Sequence, residues 1–180
     1  MGKNVDSFIK GYEILEKNGA FLIFPESISM GRRVLEKIKT GAARIGLEAE
    51  ARNEFSLNCC IMPIGISYSD LIRFRSDIMV RFGEPILLKD FQKEYHLNEK
   101  QTVKSLTGKI EHAFNGVTNY VQNVEFEDIF DGLELIYKME LMTEMGMELE
   151  DRNDDFLTSK LLTDAVQWLS LIHISEPTRQ

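Results

Sequence analysis

The chain has 180 residues, of which 43% are hydrophobic and 28% are charged, a composition typical of a soluble globular protein with about one domain. Its longest apolar runs, such as residues 59–66, are far shorter than the roughly 20 residues that a helix needs to cross a bilayer, so we expect no transmembrane helix within it. The first ten residues lack the apolar core of a signal peptide. The two cysteines, Cys59 and Cys60, are adjacent, which favours a reducing cytoplasm over a disulfide framework.

The formal net charge of −8 is unevenly distributed along the chain. Residues 1–110 contain 17 Lys and Arg against 14 Asp and Glu, whereas residues 111–180 contain four against 15. An acidic excess of this kind is usually the solvated face of helices. The first half is compatible with an anionic ligand, and we expect no nucleic-acid partner.

A run of four apolar residues leads directly into a proline and a carboxylate near the start of the chain. Residues 21–29 read FLIFPESIS, in which the apolar run is too short for a helix and ends at Pro25. Such a run predicts a strand at residues 20–24 that is buried on both faces, as in a parallel sheet. Glu26 would then lie just beyond the carboxyl end of the strand, where such sheets usually bind ligands.

Helices and strands alternate through the first half of the chain. Apolar residues at helical spacing predict a helix at residues 5–18, and a second helix begins near Thr40, whose hydroxyl group can cap it. Apolar runs predict further strands within residues 57–69 and 76–86. The alternation predicts an α/β fold. The second helix has a face of small residues suited to close packing on a sheet, namely Ala42, Ala43, Gly46 and Ala49.

From about residue 99 the pattern becomes purely helical, with helices predicted at about 99–121, 126–147 and 154–168. We therefore divide the chain into an α/β lobe at residues 1–98 and a helical region at residues 99–168. The methionine-rich run at residues 137–150 could form a promiscuous binding groove, but core packing is the favoured interpretation. The core stripe predicted for the middle helix consists of Ile129, Leu133, Ile136, Leu141 and Met145.

Four segments, in this order, resemble the phospholipid/glycerol acyltransferase family: FLIFPESIS, KTGAARIGLEAE, IMPIGISYSD and FRSDIMVRFGEPI. The resemblance covers about residues 4–90. It implies part of the αβ sandwich of a glycerolipid acyltransferase, followed by a helical C-terminal appendage. It also implies transfer of a fatty acyl group from acyl-CoA or acyl-carrier protein, as co-substrate and without a cofactor, to a hydroxyl of glycerol phosphate or a lysophospholipid. The expected location is the cytoplasm, peripheral to the inner face of a membrane.

In this family the Phe-Pro-Glu block lines the acceptor site, which implies that Glu26 helps to hold the acceptor. The chain departs from the common block, because Ser27 replaces a glycine and Ser29 stands where an arginine would be. Positive charge for a phosphate would then come from other basic residues and from the N-terminus of the helix near Thr40. The alternative is that Glu26 caps a helix or pairs with an arginine, and that the basic side chains are simply solvated. The basic candidates are Arg32, Arg33 and Lys39.

The resemblance also implies a catalytic His-x-x-x-x-Asp motif upstream of Phe-Pro-Glu, with histidine as general base. No histidine of this chain is followed by aspartate five residues later, so we predict no catalytic residue and no metal site in it. We expect the chain to be an inactive fragment that lacks this region; the alternative is a non-catalytic module that binds a lipid phosphate or a partner. The residues five positions after His96, His112 and His173 are Gln101, Val117 and Thr178, respectively.

The last residues, 169–180, read LSLIHISEPTRQ and resemble the in-frame translation of a synthetic transposase adapter used in sequencing libraries. We therefore predict that this stretch is not native and assign no functional role to His173. The surface of a non-native segment is not expected to fit the surfaces of the preceding helices. We expect this segment to be extended or poorly packed beyond Trp168.

Overall fold

A computed structural model of the chain describes residues 3–26, 34, 37–68, 74–121 and 126–175. Within these residues the helices are α1 (Lys3–Glu16), α2 (Gly41–Arg52), α3 (Gln92–Leu97), α4 (Glu99–Val117), α5 (Glu127–Glu144) and α6 (Arg152–Ser175). The strands are β1 (Cys60–Ile61), β2 (Ile64–Tyr68), β3 (Ile78–Phe82) and β4 (Ile86–Leu87), and a 3-10 helix covers Leu88–Phe91. The chain therefore combines helices with short strands, in agreement with an α/β composition.

The described residues group into two compact units. The first is built from the described parts of residues 1–28, 37–64 and 82–117, and the second from those of residues 29–36, 65–81 and 118–180. The first contains α1 to α4 with β1 and β4, and the second contains the helices α5 and α6.

Helix α2 lies at the centre of the first unit and packs on α1, α4, β1 and the 3-10 helix. Ala43, Gly46 and Ala49 of its predicted small-residue face are buried and Ala42 is half-buried, but most of what covers this face is helical rather than a broad sheet. Two distances show that the packing is close. A methyl group built at Gly46 would lie only 2.5 Å from Leu88 Cδ1, and one built at Gly11 of α1 would lie 3.0 Å from Ile45 Cγ2. Small side chains at these points let the helices approach.

The predicted strand at residues 20–24 is wrong. The structure shows irregular backbone there, and Leu22 and Phe24 are 67% and 71% exposed rather than buried on both faces. A central strand of a sheet needs neighbours on both sides for its main-chain hydrogen bonds. Among the described residues, none pairs with this segment as a strand.

The other strands are shorter than predicted and form two separate pairs. β1 pairs with β4 in antiparallel register, with Cys60 opposite Leu87 and Ile61 opposite Ile86, and β2 pairs with β3. The apolar run at residues 57–69 is divided at Pro63, which has no N–H group for a ladder. Pro63 instead accepts a hydrogen bond from the N–H group of Gly83 at 2.9 Å.

In the second unit, α5 and α6 form a helical hairpin around a core that contains Phe130, Leu162 and Val121. Helix α6 also buries hydroxyl groups. Those of Thr158 and Thr163 each donate to the carbonyl group four residues earlier, at 2.8 Å. Because these donors are satisfied within their own helix, the buried face of α6 can carry them at little cost.

The predicted core stripe of α5 is right only in part: Leu133 and Leu141 are half-buried, and Leu141 packs on the core cluster, but the other three residues are exposed. Ile129, Ile136 and Met145 are 52%, 66% and 47% exposed, whereas Phe130 and Met142 are buried. Helix α5 carries apolar side chains around most of its circumference, so its periodicity does not specify which face packs on α6. The preference for core packing of the methionine-rich run holds for Met142 but not for the exposed Met145.

Helix α6 continues to Ser175, so residues 169–175 are helical and not extended, whereas their poor packing stays a prediction. This stretch contains no proline or glycine, and a helix that is already nucleated propagates readily through such residues. Residues 176–180 lie outside the described residues, and the non-native origin of the segment stays a prediction. Within the part of the chain that is described, no helix combines the length and the apolar character needed to cross a bilayer.

Candidate functional site

The Phe-Pro-Glu turn lies beside the start of α2. The N–H group of Lys39 donates a hydrogen bond to the carbonyl oxygen of Pro25 at 3.1 Å, and Glu26 is half-buried in the turn that follows. The segment leading to the turn is held against α1, because the Phe21 ring lies 3.5 Å from the position of a methyl group at Gly11. This hydrogen bond thus sets the turn that contains Glu26 next to the N-terminus of α2.

The first turn of α2 is not capped by a side chain. Thr40 occupies the N-cap position, as predicted, but its side chain makes no capping hydrogen bond, and the first turn contains no Asp or Glu. The first N–H groups of a helix have no partner within it and carry the positive end of the helix dipole. Main-chain donors are therefore present beside the exposed Lys39 side chain.

Together these groups can recognise a molecule with both a hydroxyl group and an anionic group. A carboxylate such as Glu26 accepts a hydrogen bond from a hydroxyl group, whereas helix N–H groups and an ammonium group bind an anion. Alternatively, the negative charge of Glu26 itself stabilises the positive end of the α2 dipole. Both interpretations place Glu26 and α2 in one local structure.

Lys39 is the predicted site residue whose main chain the structure brings next to the Phe-Pro-Glu turn. Whether the predicted arginines pair with Glu26 or contact a phosphate stays a prediction, because the remaining site residues lie outside the described residues. These are Ser27, Ser29, Arg32 and Arg33.

Sequence reasoning missed the buried carboxylate of Glu50, near the other end of α2. Its Oε1 accepts the N–H group of Cys59 at 2.5 Å, and its Oε2 accepts that of Leu57 at 3.2 Å. Helical spacing puts Glu50 on the same face as Ala43 and Leu47, and this was the signal that could have identified it. Burial, followed by the charge of Glu50, raises the pKa of the Cys59 thiol to about 11.

A second carboxylate of α2 holds a tyrosine on α3. The Tyr95 hydroxyl group donates to Glu48 Oε2 at 3.1 Å, and burial, followed by the Glu48 charge, raises the pKa of Tyr95. Phe55 packs edge-on against the rings of both Tyr95 and His96, at 5.9 and 5.7 Å between centroids. These contacts anchor the loop after α2 on α3 and place His96 in a packing role.

His96 and His112 form no catalytic pair within the part of the chain that the structure describes. His96 and His112 are exposed on α3 and α4, and neither is hydrogen-bonded or ion-paired to a carboxylate among the described residues. A general base for acyl transfer needs an orienting partner of this kind.

Comparison with known proteins identifies two related yeast enzymes. The chain is 31% identical over 116 residues to Glycerol-3-phosphate O-acyltransferase 2 of Saccharomyces cerevisiae and 29% identical over 141 residues to Glycerol-3-phosphate O-acyltransferase 1 of the same organism. The matches cover 64% and 77% of this chain but only 16% and 18% of the yeast proteins, so the chain spans less than a fifth of their length. No protein-family model and no solved structure matches it. The two similarities support a relationship of this chain to the glycerolipid acyltransferases.

Proposed function

We propose that this chain is the acceptor-binding part of a glycerolipid acyltransferase whose acceptor is glycerol phosphate or a lysophospholipid and whose donor is acyl-CoA or acyl-carrier protein. The relationship to the two yeast enzymes supports the class of reaction. The observation that carries the acceptor role is the hydrogen bond between Lys39 and Pro25, which sets Glu26 beside the uncapped start of α2. Residues 1–98 would then be part of an αβ sandwich.

In this proposal Glu26 accepts a hydrogen bond from the acceptor hydroxyl group and so orients its oxygen toward the thioester. The first N–H groups of α2 and the Lys39 ammonium group hold the phosphate, together with Arg32 or Arg33. The hydroxyl oxygen attacks the thioester carbonyl carbon, a C–O bond forms and the C–S bond breaks. The hydroxyl proton passes to a general base, and the carrier leaves as a free thiol.

The base of this proposal lies outside these 180 residues, in a region with a His-x-x-x-x-Asp motif, since no histidine here has an aspartate five residues later. The complete enzyme would work at the inner face of a membrane. The second candidate function is a non-catalytic module that binds a lipid phosphate or a partner, and the uncapped start of α2 beside the exposed Lys39 supports it. Both candidates predict binding of glycerol phosphate, and only the first predicts turnover once the motif is supplied.

Calorimetric titration of the 180-residue chain with glycerol 3-phosphate and with inorganic phosphate separates the roles of the site. Replacing Glu26 with glutamine removes a charged hydrogen bond to the hydroxyl group, so binding of glycerol 3-phosphate should weaken about 10- to 150-fold, which corresponds to about 1.5–3 kcal/mol. Binding of inorganic phosphate should not weaken, because it has no glycerol hydroxyl group. Glu13→Gln, at an exposed position of α1, is the matched control.

If Glu26 only stabilises the start of α2, Glu26→Gln should instead lower the melting temperature and leave the ratio of the two affinities unchanged. That result would contradict the acceptor role. Turnover is the second measurement: the chain alone should transfer no acyl group, and joining it to a segment with the His-x-x-x-x-Asp motif should produce transfer. Robust turnover by the 180-residue chain would show that the chemistry has been placed wrongly.

A further inference from the structure

Helix α5 presents an apolar stripe to solvent on the side away from α6. Ile129, Ile136 and Met139 are 52%, 66% and 69% exposed, and Leu135 beside them is 88% exposed. Positions separated by seven and then three residues lie along one line of a helix. This α5 stripe is distinct from the buried face of the helix, which contains Phe130 and Met142.

The stripe has a notch at its centre. Gly132 lies on the same line, between Ile129 and Ile136, and a methyl group built there would meet no atom within 4 Å. Packed helices lie about 8–10 Å apart, and the smallest side chains allow the closest approach. The side chains of another helix can therefore pack into this notch, between the apolar side chains on either side of it.

The charges around the stripe are negative. Helix α5 contains six Asp and Glu and a single lysine, Lys138. That lysine lies on the packed side of the helix, where it pairs with Glu134 at 3.1 Å and with Asp155 at 2.7 Å. Asp128 and Glu140, which flank the stripe, are exposed and form no ion pair with any described residue. The exposed side of α5 is thus apolar along its centre and acidic at its edges.

We propose that the α5 stripe docks an amphipathic helix of a partner protein that carries Lys or Arg beside its apolar face. The apolar side chains provide the buried contact, and the acidic edges select the charge of the partner. A second copy of α5 would bring acidic edges against acidic edges. An anionic lipid surface would repel them for the same reason. The proposal is independent of the acceptor site, which lies in the other compact unit.

Fluorescence anisotropy with two labelled peptides of equal apolar content tests both parts of the proposal. The peptide LKKLLKLLKKLLKL should bind the 180-residue chain, and LEELLELLEELLEL should not. Added salt should weaken the binding, because exposed charges are screened. Ile136→Asp should weaken binding of the lysine peptide by about tenfold or more, as expected for a central apolar contact. Leu97→Asp is the matched control, because Leu97 is 86% exposed on α3, a helix of the other compact unit.

A double charge reversal, Asp128→Lys with Glu140→Lys, should transfer the preference to the glutamate peptide. Circular dichroism checks that each variant folds, and Met139→Asp replaces Ile136→Asp if the latter does not. Equal binding of both peptides, or full binding by the folded stripe variant, would overturn the proposal. Two other results would overturn it in favour of a different occupant: self-association in sedimentation that Ile136→Asp abolishes, or binding to phosphatidylserine vesicles that Ile136→Asp abolishes.

Discussion

Replacing Glu50 with glutamine should destabilise the first compact unit, because this carboxylate is wholly buried and accepts two main-chain hydrogen bonds. Its side chain is 0% exposed, and its two oxygens receive the N–H groups of Cys59 and Leu57 at 2.5 and 3.2 Å. The loop that carries these N–H groups has Glu54, Phe55 and Asn58 in the left-handed region, with φ of 53°, 57° and 55°. Glu50 therefore holds a backbone shape that residues other than glycine seldom adopt.

The magnitude follows from the number of acceptors lost. Glutamine has nearly the same shape but replaces one oxygen with an NH₂ group, so one of the two buried N–H groups loses its acceptor. A hydrogen bond to a charged group contributes about 1.5–3 kcal/mol. Removing a buried charge offsets part of this loss, since no described cation pairs with Glu50. We expect the free energy of unfolding to fall by about 1–3 kcal/mol for Glu50→Gln, and by about twice as much for Glu50→Ala, which removes both acceptors.

Urea unfolding followed by circular dichroism measures the loss, and amide hydrogen exchange locates it. Protection of the Leu57 and Cys59 amides should fall about 5- to 150-fold, which corresponds to 1–3 kcal/mol. The pKa of the Cys59 thiol should also fall from its value of about 11, because the charge of Glu50 is among the causes that raise it, after burial. Glu54→Gln makes the same chemical change at an exposed position of the same loop and should alter stability little.

Unchanged protection of the two amides in a folded Glu50→Gln variant would refute this reasoning. It would mean that the N–H groups find other acceptors, or that removing the buried charge stabilises the unit as much as the lost hydrogen bond destabilises it. A loss of stability as large in Glu54→Gln would refute it in another way. The effect would then belong to the loop as a whole and not to the buried carboxylate.

Two further predictions concern glycines and cysteines. Gly132→Ala should raise the free energy of unfolding by about 0.5–1 kcal/mol, because alanine favours a helix and meets no neighbour there. Gly46→Ala should lower it by about 1–2 kcal/mol in the same urea assay, because its methyl group would lie 2.5 Å from the buried Leu88 side chain; equal effects would contradict the packing. At pH 8, maleimide labelling followed by mass spectrometry should modify Cys60 before Cys59. Cys59 should react about 100-fold more slowly than an ordinary thiol, because the pKa of Cys59 is raised from 9.0 to about 11 and the thiolate is the reactive form. The same shift means that the protonated Cys59 thiol favours the folded state below about pH 9 and that this contribution is lost as the pH rises toward 11.

Part of the candidate site could be predicted from the sequence, and part could not. The Phe-Pro-Glu block and the helix that begins after Thr40 were both visible as local patterns, as was the capacity of that helix to offer N–H groups. Their adjacency was not visible, because it depends on the hydrogen bond between Lys39 and Pro25. The absence of a Thr40 cap was equally hidden, since a capping hydrogen bond depends on the backbone angles at that residue, here φ of −70° and ψ of 0°.

The sequence by itself determined where the long helices lie. α2 was predicted from the capping capacity of Thr40 and a face of small residues, and α4 and α5 were predicted from apolar spacing, all of which are local patterns. Tertiary structure decided what the sequence left open: that residues 20–24 form no strand, that the run at residues 57–69 breaks at Pro63, and that α5 turns Phe130 inward and Ile136 outward. The physical reason is that a helix satisfies its own main-chain hydrogen bonds. A strand instead depends on other segments for its hydrogen bonds, and the choice between two apolar faces of a helix depends on which segments pack against it.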